Sequence, residues 1–108
     1  MFEIKKVELI NDVCYIYFQD YSIKIDRNQL ADAMFSVKLW QYDNSTSFSI
    51  MLIQLIAKSD NINKTKLMQV YPEYVVAYLL WYYKSGIDIE YDDDLEFINA
   101  VIIKLNNY

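Results

Sequence analysis

The stretch that decides the fold is "YSIKIDRNQLADAMFSV", residues 21–37. It begins with a period of two. Ile23 and Ile25 fall on one side and Lys24 on the other, the pattern of a half-buried strand. At Asp26 the period changes. "DRNQ" fits a capping box, with Asp26 as the cap and Gln29 reaching back to it. Leu30, Ala33, Met34 and Val37 then follow at helical spacing. A strand therefore gives way to an amphipathic helix with no intervening loop.

Upstream, the period of two continues. In "CYIYF", Cys14, Ile16 and Phe18 alternate with Tyr15 and Tyr17. A further strand is expected near Glu3 to Ile10, joined through the turn pair Asn11-Asp12. A second break at Gln19-Asp20 leads into Tyr21–Ile25. Residues 1–25 thus read as two or three antiparallel strands.

Downstream, the pattern is helical. The first helix should fade near Trp40, before the polar "QYDNSTS". "FSIMLIQLIAK" starts near Ser45 to Ser47 and is apolar nearly all round, which predicts a helix buried by several neighbours. Asp60 or Asn61 should cap a short helix reaching about Val70. Tyr71 precedes proline and is pushed from the helical region. Pro72 suits the first position of the next helix, where its missing N–H costs nothing. That helix carries Val75, Val76, Leu79, Leu80 and Tyr83 and should stop at Ser85-Gly86. "IDIEY" reads as a short strand. A last helix should begin in the acidic run, with Leu95, Ile98, Val101, Ile102 and Leu105 as its stripe. The expected fold class is α+β: a small N-terminal antiparallel sheet of two or three strands, packed with about five helices. Residues 1–108 form a single domain, with 1–25 as strands and 26–108 mainly helical.

Composition narrows the function. Hydrophobic residues make up 55% of 108 residues, and Gly and Pro occur once each. Such a chain folds into regular structure with short loops. Eleven Tyr, five Phe and two Trp exceed what is usual, while Arg appears once, at Arg27. An AT-rich genome and core packing account for part of the Tyr excess; an aromatic partner surface is the alternative. Net charge is −5. That balance argues against a phosphate-backbone binder and against an acidic membrane surface. It favours basic partners. The chain opens with no signal-peptide pattern, and no apolar run approaches ~20 residues. An intracellular, cytoplasmic location in a host cell is the expectation, with no membrane and no direct nucleic-acid contact.

Chemistry is scarce. There is no His, one Cys and one Gly. Histidine-based acid–base and nucleophilic schemes are excluded within one chain. So are a cysteine zinc site and a Gly-rich phosphate loop. Cys14 falls on the core side of its strand. A carboxylate pair could still do acid–base work, but nothing in the spacing places two in a pocket. The expectation is a non-enzyme without cofactor or metal.

Two surface features remain. "GIDIEYDDDLEF", residues 86–97, packs Asp88, Glu90, Asp92, Asp93, Asp94 and Glu96 together. A calcium loop would need Gly at Asp93 and Glu at Asn99, so that match fails. Asp93 and Glu96 form a capping box, and the neighbouring acids suit a helix N-terminus. Asp88 and Glu90 precede the helix and are left unexplained by capping. Their alternative role is an anionic face that occupies a basic site made for nucleic-acid phosphate. The second feature is "YVVAYLLWYYK", where Tyr78, Trp81 and Tyr82 lie around and beyond the core stripe. They suggest a protein interface or a homo-oligomer contact; base stacking lacks a basic groove.

One resemblance bears on origin. Leu55-Ile56, Lys58, Asp60, Leu67, Tyr71-Pro72-Glu73, Val76, Ala77 and Trp81, within residues 48–86, resemble a helical segment of small uncharacterised phage and prophage accessory proteins. Those would carry Ala at Ser59 and Phe at Tyr71. The resemblance covers about a third of the chain and transfers no catalytic residue. It implies a mobile-element accessory protein. The resulting expectation is an inhibitor of a host protein with a basic surface, such as a CRISPR effector nuclease. Asp88, Glu90, Asp92, Asp93 and Asp94 would supply charge, and Tyr78, Trp81 and Tyr82 aromatic anchors. The alternative is an assembly protein that self-associates through the Tyr/Trp-rich helix.

Overall fold

The computed structural model describes residues 2–42 and 47–83. Three strands, β1 (Lys6–Ile10), β2 (Val13–Tyr17) and β3 (Ser22–Asp26), precede four helices. These are α1 (Arg27–Tyr42), α2 (Phe48–Lys58), α3 (Asn61–Val70) and α4 (Pro72–Tyr83). The architecture is α+β, with an antiparallel sheet in the order β1-β2-β3. The expected fifth helix, the "IDIEY" strand and the Gly86 cap lie outside the described residues.

The first hairpin closes on two residues, with Ile10 opposite Val13. Asn11 and Asp12 take φ of 51° and 65°, the left-handed pair that matches strand twist. Asp stands where such turns favour Gly. It is held there by its neighbour across the sheet: the Arg27 N–H donates to the Asp12 carbonyl at 3.0 Å, and an Arg27 guanidinium nitrogen, Nη1, lies 3.6 Å from the Asp12 carboxylate. The second turn, at Gln19-Asp20, is closed by Phe18 N–H to Tyr21 O at 2.8 Å. β1 starts later than expected, although Lys5 N–H still donates to Tyr17 O at 2.8 Å. Phe2 and Ile4 are nonetheless buried.

Alternation sorts the sheet as expected. Val7, Cys14, Ile16 and Ile25 face the core. At the end of β3, Asp26 turns the chain into α1. Its carboxylate accepts the N–H groups of Asn28 at 2.9 Å and Gln29 at 3.2 Å. These are orphan donors of the first helical turn. The stripe Leu30, Ala33, Met34 and Val37 is buried. α1 packs on β2 and β3 with one side and on α2 and α4 with another. It is the main bridge between the sheet and the other helices.

Asp60 caps α3, accepting Asn63 N–H at 2.8 Å. Tyr71 leaves the helical region (φ −129°, ψ 59°) and Pro72 opens α4, as the Tyr-Pro pair predicts. α3 packs on α4, with the Lys64 ammonium 5.7 Å from the centre of the Tyr78 ring.

One expectation is corrected. α2 is not buried all round. Ile50, Leu52, Ile53 and Ile56 are buried, but Phe48, Met51 and Leu55 are 67%, 54% and 54% exposed. The helix enclosed along its middle is α4, whose residues Val75 to Leu80 are buried without a break. α4 is packed by α1, α2 and α3, whereas α2 lies at the margin.

The cap makes a direct prediction. Asp26→Ala should cost about 0.5–2 kcal/mol in denaturant unfolding, and Asp26→Asn much less. Equal losses for both would show that the cap is not the source.

Candidate protein-binding surface

Tyr78, Trp81 and Tyr82 of α4 form one group with Trp40 of α1. Trp40 meets Trp81 edge to face, with ring centres 5.1 Å apart at 78°, and meets Tyr78 at 6.2 Å. Tyr78 touches Trp81 at 5.8 Å and stacks on Tyr82 at 5.8 Å, with planes 25° apart. Four rings thus form one block. Offset and edge-on pairs of this kind add roughly 0.5–1.5 kcal/mol each beyond buried area.

The three candidate anchors occupy different depths. Tyr78 is only 7% exposed and belongs to the core, so it is not a surface anchor. Trp81 is half-buried against that core. Tyr82 is 55% exposed. The i, i+4 spacing of Tyr78 and Tyr82 explains the stack, since those positions share a helix face. Trp40, three residues beyond Val37, was not singled out in sequence. Its signal was the continuing period of α1.

Asp88, Glu90, Asp92, Asp93 and Asp94 lie outside the described residues. In sequence, Asp88 follows Tyr82 by six positions. The outward face of the sheet is a second aromatic and charged surface. Tyr15 and Tyr17 of β2 lie near the ammonium groups of Lys24 and Lys6, at 5.7 Å and 5.8 Å from the ring centres. Lys6 also pairs with Glu8 at 3.2 Å. These contacts are local, and of the two ammonium groups only that of Lys6 is paired here with a carboxylate, that of Glu8.

Among the described residues, no group of three or more His, Cys, Asp or Glu is placed to hold a metal ion. Cys14 is fully buried, and burial pushes its thiol up, away from the reactive thiolate. Among the described residues, no helix is long and apolar enough to cross a membrane. What the described surface offers is a rigid aromatic block with one outward ring, and apolar helix faces. That chemistry suits protein contact. Comparisons with family models, with curated proteins and with solved structures found no match.

One titration is open to test. The Tyr17 hydroxyl donates to the Glu8 carboxylate, which, with Lys6, holds the Glu8 pKa below its ordinary value. The same bond raises the Tyr17 phenol. A carboxyl lowered in the folded state stabilises above its unfolded pKa, and that contribution is lost as pH falls through its folded pKa. NMR titration should find Glu8 below the value in an unfolded peptide. Tyr17→Phe should raise it toward that value. A Glu8 midpoint unmoved by Tyr17→Phe would assign the shift elsewhere.

Proposed function

We propose that this chain is a non-enzymatic accessory protein of a phage or other mobile element, which binds a host protein and inhibits it. The observation that carries this reading is the exposed Tyr82 ring stacked on buried Tyr78. A ring already ordered by stacking loses little side-chain freedom on binding. Tyr and Trp held this way are the residue types that dominate interface energies. Trp81 would support the anchor from beside it.

The acidic run continues the chain beyond α4. Asp88, Glu90, Asp92, Asp93 and Asp94, with a net charge of −5 overall, would draw the protein to a basic partner. Host enzymes that handle nucleic acid carry such basic sites, and a CRISPR effector nuclease is an example of the class. The resemblance of residues 48–86 to phage accessory proteins supports the same origin. The absence of His from the sequence is consistent with inhibition by occupancy instead of catalysis. Self-association through the Tyr/Trp-rich helix is the weaker alternative, because Tyr78 is withdrawn into the core.

The experiment begins with a tagged chain used to capture partners from host cells, identified by mass. Binding of the purified partner is then measured at increasing salt. Association should slow as salt rises. Reversing Asp88, Glu90 and Asp92 to Lys should slow it by about tenfold or more. Tyr82→Ala should weaken affinity by roughly 2 kcal/mol, mainly through faster dissociation. Variants that bind as the parent does would remove this surface from the interface.

A further inference from the structure

A cleft opens between the sheet and α3, and its origin lies in the packing. α1 holds the sheet, and α4 holds α3. α3 itself touches the strands little. A cavity of about 560 Å³ remains between them. That is within the roughly 300–1,000 Å³ of small-molecule sites.

Three parts of the chain wall it. The N-terminal segment gives Phe2, and the β2–β3 turn with β3 gives Asp20, Tyr21 and Ile23. α3 gives Thr65, Met68 and Gln69. Phe2 and Met68 are almost withdrawn from water, and Ile23 packs against the core. The cleft therefore has apolar walls at depth. The Tyr21 ring is ordered by stacking on Phe18, with centres 4.7 Å apart and planes at 16°. The Thr65 hydroxyl already donates to the Asn61 carbonyl at 2.8 Å.

Asp20 is the one charged residue among those lining this cleft. Among the described residues, no ammonium or guanidinium group pairs with it. Lys5 shares a smaller adjoining hollow with Asp20, but its ammonium lies 3.5 Å from the Glu3 carboxylate. The cleft thus joins an apolar interior, an ordered aromatic ring and an unanswered carboxylate.

We propose that this cleft binds a small organic amine, an aromatic body carrying a protonated nitrogen. The body displaces water from Phe2, Ile23 and Met68. The ammonium group pairs with the Asp20 carboxylate and lies against the Tyr21 ring. An anion of the same shape meets Asp20 as a like charge and is disfavoured. The net charge of −5 draws cations toward the protein as a whole, and the cleft gives one class of them a place to stay. None of the residues around Tyr82 takes part, so the site does not rest on the aromatic block.

Amide NMR shifts of the isotope-labelled full chain test this with three probes of one shape. Phenethylamine should move the amides of Tyr21, Ile23, Thr65 and Met68 and reach saturation. Phenethyl alcohol should bind there about two- to fivefold more weakly, and phenylpropionate more weakly still. Asp20→Asn should weaken the amine by about two- to fivefold and leave the alcohol unchanged. Thr65→Trp and, separately, Gln69→Trp sit at exposed positions on the α3 wall and leave the net charge unaltered. Either should fill the cleft and abolish the shifts while keeping the parent's circular dichroism. No saturable shift at these amides in the parent overturns the site. So do amine shifts that survive both tryptophan variants, which would mark diffuse attraction to an acidic protein. Equal binding of amine and alcohol, unmoved by Asp20→Asn, overturns the assignment to a cation.

Discussion

The structure depends on the junction between Asp26 and Arg27. Asp26 is the last residue of β3 and the cap of α1, so one carboxylate sits at the boundary of two kinds of backbone. Arg27, the first helical residue, reaches back to the β1–β2 turn through its N–H and its guanidinium. The two residues act together. Asp26 satisfies donors that the new helix cannot satisfy internally, and Arg27 ties the helix start to the far hairpin. With no loop between β3 and α1, the direction of the helix follows from the direction of the strand.

That direction matters because the sheet packs on the other helices chiefly through α1. Its buried stripe covers Ile16 and Ile25 on one side. Its far end carries Trp40 to the α4 aromatics. α4, packed by three helices, then becomes the centre of the helical half. α2 is left at the margin with one side buried and the other in water. The exposed Phe48, Met51 and Leu55 are thus a consequence of where the chain runs, as is the burial of Tyr78.

The features legible in sequence are those written in local chemistry. The alternation of Cys14, Ile16 and Phe18 fixes the inner face of β2. Asp26, Asp60 and the Tyr71-Pro72 pair mark helix boundaries by hydrogen bonding and sterics, which need only neighbouring residues. Asn11-Asp12 marks the tight turn for the same reason. The relation between α2 and α4 was not legible. Both are apolar nearly all round, and periodicity says that such helices are buried without saying which lies in the middle. Long-range packing decides that. The candidate site was read in part. Tyr82 and Trp81 are at or near the surface, while Tyr78 sits too deep because α3 and Trp40 close over it. No local signal identifies Trp40 as the ring that completes the block.

Two apolar surfaces are left exposed on the helical half. The aromatic block ends in a single ordered ring, suited to a pocket on a partner. The α2 face is broader, with Phe48, Met51 and Leu55 exposed along it. Both are positioned by α1 and α4, and so by the Asp26–Arg27 junction. Native-state hydrogen exchange at the Arg27 amide tests that dependence most directly. The N–H donates to the Asp12 carbonyl at 3.0 Å. If the junction holds the domain together, this amide should exchange only as slowly as the central β2 amides, by global unfolding. Exchange at the rate of an open loop, with the sheet still protected, would contradict the account.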